Sequence, residues 1–356
     1  MRGLVWAGGE LHLTDALEVR APRAGEVRVK VLRSGICHSD VNAMDAGGDG
    51  PVVLGHEAAG VVVEIGEGVT GWTLGEAVAV AAWTPCGHCR ECERDAPANC
   101  DETFGIVPHF PFTWQGQPVC AYANVASFAG EIVVKASQLY RTYDLPPEQA
   151  ALIGCAVQTG FSAANRIGQV RAGDNVVVVG VGGIGVNVIQ GARLAGAKVL
   201  AVDINPAKEE VARRFGAEQF LCASRDWDAD ALTQALQQQM APIDVAIECS
   251  GALTAIKAAV HAVKRGGRAV LVGMSLPGKS VELSVDALVY GRSVVAELSG
   301  GARPPEDMPV LIDYVREGRL DVASQVTKVW PLAQANEAIE ALRRGEVVRA
   351  MLDHTI

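Results

Sequence analysis

Four cysteines lie close together in the segment that runs from Cys86 through Cys89 and Cys92 to Cys100. Four thiolates at this spacing can surround one tetrahedral zinc ion and leave no open position for a substrate. The segment therefore predicts a closed, structural zinc site. An iron–sulfur cluster is the competing metal interpretation, but nothing else in the chain indicates electron transfer. His88 lies inside the segment and is interpreted as a loop residue, because the four thiolates already complete the coordination.

Three further short motifs carry side chains that bind metals: GICHSD with Cys37, GHE with His56 and Glu57, and LIGC with Cys155. A single cysteine or histidine is usually only packed or exposed, so each motif alone is weak. Two thiolates and one imidazole together form a catalytic zinc site with a free position. Asp40 is then expected to orient His56 through its second ring nitrogen.

A glycine-rich turn between two apolar runs predicts a dinucleotide site. The run 175–179 indicates a strand that is buried on both faces. Gly180 permits the tight turn, Gly182 lets the backbone approach a pyrophosphate, and Gly185 lets the following helix pack closely on the strand. Asp203 ends the next strand, where a carboxylate binds ribose hydroxyls and repels a 2′-phosphate, which favours NAD over NADP. A glycine-rich turn without a nucleotide is the alternative, and the strand–turn–helix–strand context makes it improbable.

Bulk properties narrow the class of protein. The chain has 356 residues, 49% hydrophobic and 20% charged, with a formal net charge of −10. The length indicates about two domains. The negative charge argues against binding to nucleic acid or to an anionic membrane. No apolar run reaches the length of a membrane span, and the first residues lack a signal-peptide pattern. We therefore expect a cytoplasmic protein whose remaining cysteines are free thiols.

The elements around these motifs indicate two domains. Short alternating strands separated by glycine and proline predict a barrel-like domain in the first part of the chain. From residue 158 strands and helices alternate, which is typical of a doubly wound parallel sheet. We expect a catalytic domain over 1–157 that is completed by 300–356, with a nucleotide domain over 158–299. The aromatic stretch Phe104–Trp114 is interpreted as a loop, either a surface lobe or a wall of a substrate cleft.

The motifs, in their order and spacing, resemble those of zinc-dependent alcohol dehydrogenases of the medium-chain dehydrogenase/reductase superfamily over nearly the whole chain. The matching stretches are GICHSD, LGHEAAGVV, CGHCRECERDAPANC, LIGCAVQTG, GVGGIG, VDIN and RRGEVVRAML. The resemblance implies an α/β fold with a GroES-like, β-barrel-type catalytic domain and a Rossmann domain, and an active site in the cleft between them. It also implies NAD and two zinc ions per chain, one catalytic and one structural.

The resemblance also implies a role for individual residues. Cys37, His56 and Cys155 resemble the catalytic zinc ligands, and Glu57 resembles a glutamate that can approach the metal. Ser39 resembles the hydroxyl that contacts the substrate oxygen and starts a proton relay. The expected cofactor contacts are His38, Thr159, Gly180, Gly182, Gly183, Ile184, Gly185, Asp203, Lys208 and Arg349. The expected substrate pocket contains Trp83, Asn42 and Phe110.

One position departs from the family pattern. Well-studied animal members have a histidine at the position of Asn42, where it passes the proton to solvent. An amide does not titrate, so the relay is expected to continue through the ribose and water or through another residue. The segment between Cys100 and Cys155 is also shorter than in those members, so the shape of their pocket does not transfer.

The expected reaction is reversible hydride transfer between an alcohol and NAD, with a primary aromatic or medium-chain alcohol as the preferred substrate. Alternatives are a formaldehyde dehydrogenase that uses a thiol adduct, a polyol dehydrogenase, and a catalytically silent zinc protein that binds NAD. A zinc-free reductase is disfavoured by the three intact ligands. The family suggests a homodimer through the edge strand Ser293–Leu298, with a homotetramer as the alternative.

Overall fold

The computed structural model describes residues 1–48, 50–102, 107–275 and 278–356, which form two compact units. Unit 1 comprises Met1–Cys155 together with Arg303–Ile356, and unit 2 comprises Ala156–Ala302. The chain of unit 2 is therefore inserted into that of unit 1. The domain boundaries at 157 and 300 stay predictions from the sequence.

The N-terminal part of unit 1 is rich in strands. These strands are β1 (Gly3–Ala7), β2 (Glu10–Thr14), β3 (Glu18–Val19), β4 (Glu26–Ile36), β5 (Val52–Val53), β6 (Glu57–Ile65), β7 (Ala77–Val80), β8 (Phe112–Trp114), β9 (Gln117–Ala121), β10 (Glu131–Lys135) and β11 (Leu139–Arg141). The helices are α1 (His38–Ala46), α2 (Arg90–Glu93) and α3 (Pro147–Leu152).

Unit 2 alternates strands and helices. Its helices are α4 (Gln158–Ser162), α5 (Gly183–Leu194), α6 (Lys208–Phe215), α7 (Ala229–Gln239) and α8 (Leu253–Ala262). Its strands are β12 (Asn175–Val179), β13 (Lys198–Asp203), β14 (Gln219–Cys222), β15 (Val245–Glu248), β16 (Arg268–Leu271) and β17 (Ser293–Val295). The chain then returns to unit 1 with α9 (Pro304–Arg316), β18 (Val326–Pro331), α10 (Ala335–Arg343) and β19 (Arg349–Asp353). Within the described ranges, no helix is both long and apolar enough to cross a membrane.

Unit 1 is built from two sheets around one core. One sheet has the order β2-β1-β5-β9-β8-β3, and the other has the order β11-β7-β6-β4-β19-β18 with β10 paired to β4. In β4 the alternate residues Val27, Val29 and Val31 are buried, as expected for a strand with one face on a core. The C-terminal strand β19 pairs antiparallel with the end of β4, so that Ala350 lies opposite Ile36. This pairing brings the C-terminal strand beside the first metal-binding motif.

The sheet of unit 2 is parallel throughout and has the order β14-β13-β12-β15-β16-β17. Residues 176–178 in its centre are fully buried, as expected where helices cover both faces of a parallel sheet. The predicted doubly wound sheet is confirmed. Strand β17 ends at Val295, whereas Leu298 begins a short 3₁₀ turn, so the edge strand predicted up to Leu298 is shorter than expected.

In the described part of the aromatic stretch, residues 107–114, the loop extends only as far as Pro111. Phe112–Trp114 forms β8 and pairs antiparallel with β9, so the prediction of a loop up to Trp114 was wrong at this end. Phe112 is 1% exposed and belongs to the core of unit 1. The burial of its ring stabilises the hairpin of β8 and β9. The proline and aromatic content of the stretch does not predict this burial. Residues 103–106 lie outside the described residues.

The glycine turn before α5 allows a test in which two neighbouring glycines behave differently. A Cβ at Gly185 would overlap the carbonyl oxygen of Gly180, whereas a Cβ at Gly182 would have no described atom within 4 Å beyond its chain neighbours. Gly182 also has φ −92°, which alanine adopts freely. We expect Gly185→Ala to lower the free energy of unfolding by about 2 kcal/mol through overpacking. Gly182→Ala should leave the thermal unfolding midpoint unchanged. Equal midpoints for both variants would contradict this account of the turn.

Candidate metal and nucleotide sites

The first metal-binding motif is held by one buried carboxylate. Asp40 lies in the first turn of α1 and is 1% exposed. Its Oδ2 accepts the Cys37 N–H at 2.9 Å, and its Oδ1 accepts the Gly55 N–H at 3.0 Å and lies 3.1 Å from His56 Nδ1. Asp40 therefore ties the residue at the start of α1 to the two residues before β6.

Gly55 must be a glycine for this arrangement to form. Its φ is 88°, and a Cβ there would overlap the side chains of Ser127 and Phe128. The left-handed conformation costs a non-glycine residue about 1–2 kcal/mol even without a clash. The turn at Gly55 thus allows His56 to point at Cys37.

Four side chains with metal-binding chemistry meet at this point. Cys37, His56, Glu57 and Cys155 each offer a ligand atom, and these atoms all lie within 4.8 Å of one another. His56 and Glu57 are fully buried, and the two thiols are 6% and 8% exposed. Cys155 lies in a π-helical turn, Ile153–Val157, directly after α3, and such turns occur often at functional sites. The structure brings together the ligands that the sequence predicted.

Unpartnered atoms in this cluster fit a bound cation. Both carboxylate oxygens of Glu57 are buried without a hydrogen-bond partner among the described residues. Burial raises the pKa of Glu57 to about 7, although Arg349 acts in the opposite direction. A buried carboxylate is costly unless a cation or a proton compensates it; Arg349 Nη2, 3.1 Å from Glu57 Oε1, does so in part, and a bound metal would add to this. Two thiols, one imidazole and one carboxylate form a donor set suited to zinc.

The pKa values of the ligands shift in different directions, downward for Cys37 and upward for His56 and Cys155. The Cys155 thiol lowers the pKa of Cys37 to well below its usual range, and Arg349 and His56 contribute to this shift against burial. Burial lowers the pKa of His56, but Asp40 and Cys37 outweigh it, so the net shift is well upward. The raised pKa favours the protonated ring of His56, so a metal would have to replace the Nε2 proton, while the Nδ1 proton would still be donated to Asp40.

Arg349 lies beside the cluster. It is 2% exposed, its Nη2 lies 3.1 Å from Glu57 Oε1, and its Nη1 donates to the Ile36 carbonyl at 3.3 Å. Burial alone would lower the pKa of Arg349, but Glu57 and Cys37 hold it above the usual range. Its Nε group has no hydrogen-bond partner within the described chain, whereas Nη2 takes part in the ion pair with Glu57. Contact with a pyrophosphate, as the resemblance implies, stays a prediction for Arg349.

Apolar side chains flank the two thiols. Trp83 is 1% exposed and packs with Cys37, Cys155, Ala82 and Ala98. Trp83 also lines a cavity of about 180 Å³ in unit 1, together with Val107, His109 and Asn124 among others. Phe110 is not among the described residues that line this cavity, and it is 54% exposed. The structure thus places Trp83 at the metal cluster and Phe110 on the surface.

The predicted relay residues lie on α1. Ser39 is partly buried, with its Oγ 3.4 Å from His56 Nε2. His38 is exposed at the first position of the helix, and Asn42 lies one turn further along.

Tyr122, which the sequence analysis missed, also reaches this region. Its ring lies edge-on to the His56 ring at a centroid distance of 5.7 Å, and its hydroxyl donates to the Ser39 carbonyl at 3.1 Å. No local motif marks Tyr122, because only the packing of distant segments brings it there.

The four-cysteine segment forms a second cluster. The sulfur atoms of Cys86, Cys89, Cys92 and Cys100 all lie within 4.8 Å of one another. In a tetrahedral site a Zn–S bond of about 2.3 Å implies S–S distances of about 3.8 Å, and the sulfurs of Cys86 and Cys92 are 4.0 Å apart. Backbone N–H groups of Asp101 and Cys92 lower the pKa of Cys89 to about 6, which favours the thiolate. His88 is exposed at the edge of the cluster.

In unit 2 the glycine turn joins β12 to α5. Gly183, Ile184 and Gly185 form the first turn of α5, whose free N–H groups suit an anion. The open space at Gly182 leaves room for a ligand. Asp203 Oδ2 accepts the Val181 N–H at 2.8 Å, so this carboxylate also holds the turn in place.

Two other predicted cofactor residues are buried in unit 2. Lys208 begins α6 and is 8% exposed; burial lowers its pKa, and Asp203 raises it. Thr159 is 5% exposed in α4. Their contacts with a cofactor stay predictions.

Comparisons with known proteins agree with this arrangement. Residues 23–144 match the alcohol dehydrogenase GroES-like domain, and residues 183–317 match the zinc-binding dehydrogenase family. The S-(hydroxymethyl)glutathione dehydrogenase of Escherichia coli O1:K1 / APEC is 34% identical over 97% of this chain and 96% of its own length. The protein of the same description from Haemophilus influenzae is 33% identical over 95% of this chain and 93% of its own.

Two solved structures have the same fold. Benzyl alcohol dehydrogenase from Acinetobacter calcoaceticus is 27% identical, with a TM-score of 0.89 over 99% of this chain and 98% of its own. An alcohol dehydrogenase zinc-binding domain protein from Burkholderia ambifaria is 28% identical, with a TM-score of 0.90 over the same shares.

The fold and the ligand cluster define an oxidoreductase of the zinc-binding dehydrogenase class. The chain belongs to the zinc-dependent alcohol dehydrogenase family of the medium-chain dehydrogenase/reductase superfamily. The family, the two-domain α/β fold and the enzyme class predicted from the sequence are confirmed.

The contacts of Asp40 lead to a testable expectation for metal retention. Asp40→Asn replaces one acceptor oxygen with an NH₂ group that faces N–H donors, so His56 loses its orientation. We expect the affinity for the metal at this cluster to fall by about 10- to 100-fold. Competition with a chromogenic chelator measures the zinc that is retained. The matched control is Asp45→Asn, on the same helix but paired with Arg343 at the surface. Equal retention in both variants would argue against the role given to Asp40.

Proposed function

We propose that this enzyme oxidises a primary alcohol to an aldehyde with NAD, reversibly, at the cluster of Cys37, His56, Glu57 and Cys155. The observation that carries the proposal is the convergence of four buried metal-binding side chains, whose ligand atoms all lie within 4.8 Å of one another. Arg349 balances part of the buried charge of Glu57, and a bound cation would also neutralise the two thiolates. The family match supports zinc as that cation.

Two zinc ions per chain are proposed, because two separate clusters have suitable ligands. Cys37, His56 and Cys155 would hold the catalytic ion, with Glu57 close by, and the four-cysteine cluster would hold the structural ion. When bound, the catalytic zinc supplies a Lewis acid that polarises the alcohol oxygen. Asp40 keeps His56 in the tautomer that this requires.

NAD is the proposed cofactor, bound by unit 2. The open space at Gly182, the N-terminus of α5 and the carboxylate at the end of β13 support this assignment. Asp203 already accepts backbone N–H groups from Val181 and Asn205, but a carboxylate has about four acceptor sites. It can therefore still accept ribose hydroxyls, and its charge opposes the 2′-phosphate of NADP.

The residues of the chain would move the proton and exclude water. Ser39 is proposed to accept the proton of the alcohol, because its hydroxyl lies beside the ring of His56. Asn42 cannot titrate, so the proton that Ser39 passes on would leave by a route that does not depend on ionisation of this side chain. Trp83 and Tyr122 cover the cluster with aromatic surface, which strengthens electrostatic interactions by keeping water away.

The aromatic surface of Trp83 and Tyr122 favours an aromatic or medium-chain alcohol as the substrate. The solved benzyl alcohol dehydrogenase with the same fold supports this class. A second candidate is an S-hydroxymethyl thiol adduct, because relatives at 34% identity are S-(hydroxymethyl)glutathione dehydrogenases.

We also propose an oligomeric state and a location. Strands β14 and β17 are the two edges of the sheet of unit 2 among the described residues, and pairing of β17 with a second copy would give the proposed homodimer, with a homotetramer as the alternative. None of the nine cysteines, all of which lie in the described ranges, forms a disulfide, which supports the proposal of a cytoplasmic location.

Removal of one metal ligand tests the proposed site. His56→Ala and Cys37→Ala should each abolish NADH formation from an alcohol, because the catalytic ion loses a ligand. NAD binding, measured by calorimetry, should persist because the nucleotide site lies in unit 2. His12→Ala is the matched control, since His12 lies in β2 beside Trp114. Full turnover by His56→Ala protein that lacks zinc at this cluster would end the proposal.

A substrate panel distinguishes the candidate reactions. NADH formation is measured with benzyl, cinnamyl and hexyl alcohols, with ethanol and glycerol, and with formaldehyde plus glutathione. The proposal predicts the highest kcat/KM for a bulky alcohol with NAD, and a much lower value with NADP. Asp203→Asn should lower the ratio of kcat/KM with NAD to kcat/KM with NADP, since the substitution removes the charge that opposes the 2′-phosphate. A strict requirement for glutathione would favour the thiol-adduct reaction instead.

A further inference from the structure

The hydroxyl of Tyr122 makes a contact that the proposed reaction does not explain. Its hydroxyl donates to the backbone carbonyl of Ser39 at 3.1 Å, across 83 positions of sequence. That carbonyl lies in the first turn of α1, where it can also accept the usual helical hydrogen bond, because a carbonyl oxygen has two lone pairs. The ring of Tyr122 packs edge-on against His56. One side chain therefore contacts both the helix that carries Ser39 and a metal ligand.

The segment after Tyr122 is constrained in an unusual way. Ala123, Asn124 and Ala126 have φ values of 52°, 58° and 61°, in the left-handed region that alanine rarely adopts. Such strain persists only where the surroundings over-determine it, and it is concentrated at functional sites. The Tyr122 carbonyl accepts the N–H groups of Val125 and Ala126, which closes a tight turn.

Two hydrogen bonds fix the far end of this turn next to the metal ligands. Ser127 N–H donates to the Gly55 carbonyl at 2.9 Å, and Phe128 N–H donates to the Leu54 carbonyl at 3.0 Å. The turn is therefore anchored to the residues that precede His56. Asp40 holds the same Gly55 from the other side. Tyr122 thus connects a rigid turn to the start of α1.

We propose that Tyr122 is a positioning residue that fixes the first turn of α1, and with it the Ser39 hydroxyl, relative to His56. The proposal rests on the role given above to Ser39 as proton acceptor. Burial raises the pKa of Tyr122, so the phenol keeps the proton that it donates. Its hydroxyl does not touch the reacting atoms in this account; it acts through Ser39.

Tyr122→Phe removes only the hydroxyl and leaves the ring against His56. In the zinc-loaded full chain, with NAD and benzyl alcohol, we expect kcat and kcat/KM to fall together by about five- to tenfold, as loss of one neutral hydrogen bond implies. If Tyr122 only lined the substrate pocket, its substitution would raise KM and leave kcat unchanged. The matched control is Tyr140→Phe, a partly buried tyrosine in β11, which should keep both parameters.

Two further measurements separate this proposal from the proposed function. Amide hydrogen exchange of the peptide that covers 38–46 should be faster in Tyr122→Phe than in wild type or Tyr140→Phe, at equal zinc content. In a double-mutant cycle, Tyr122→Phe should change kcat by less than about twofold when Ser39 is already alanine, because coupled residues are not additive.

The outcomes are distinguishable. Unchanged kcat and unchanged exchange in Tyr122→Phe overturn the positioning role, as does a rise in KM alone. If Ser39→Ala is fully active, the relay role of Ser39 fails, and the exchange result alone decides whether Tyr122 fixes α1. If Tyr122→Phe lowers kcat equally in both backgrounds, the effect does not run through Ser39 and the proposal fails.

Discussion

The cluster of candidate metal ligands in unit 1 depends on the buried carboxylate of Asp40. This group joins the Cys37 backbone, the Gly55 backbone and the His56 ring, which come from the start of α1 and from the turn before β6. A buried charge is stable only when hydrogen bonds replace its hydration. Three donors do so here, and their positions fix two ligands of the cluster. The buried and hydrogen-bonded carboxylate of Asp40 therefore holds Cys37 and His56 in the positions from which they could bind a metal.

The two units carry different candidate sites. Unit 1 supplies the converging ligands and the aromatic cover, and unit 2 supplies a glycine turn braced by Asp203. Each site is made rigid by the same means, in which a carboxylate accepts backbone N–H groups beside the position where the bound group would lie. Pre-organised groups of this kind lower the cost of orientation when substrate binds.

The sequence predicts those features whose physical signal is local. The spacing of Cys86, Cys89 and Cys92, and the glycine turn between a buried strand and a helix, follow from short-range geometry. Tyr122 could not be predicted, because it reaches Ser39 only through the packing of distant segments. The position of Arg349 beside Glu57 likewise depends on the pairing of β19 with β4. Strand β8 was missed because its hairpin partner, not its own composition, determines its conformation.

The most direct test of the central claim is to locate zinc by anomalous diffraction at its absorption edge, in crystals of enzyme that oxidises an alcohol. The account predicts two peaks per chain, one among the four cysteines of residues 86–100 and one among Cys37, His56 and Cys155. A single peak at the four-cysteine cluster, in enzyme with full activity, would contradict the assignment of the buried cluster as the catalytic metal site.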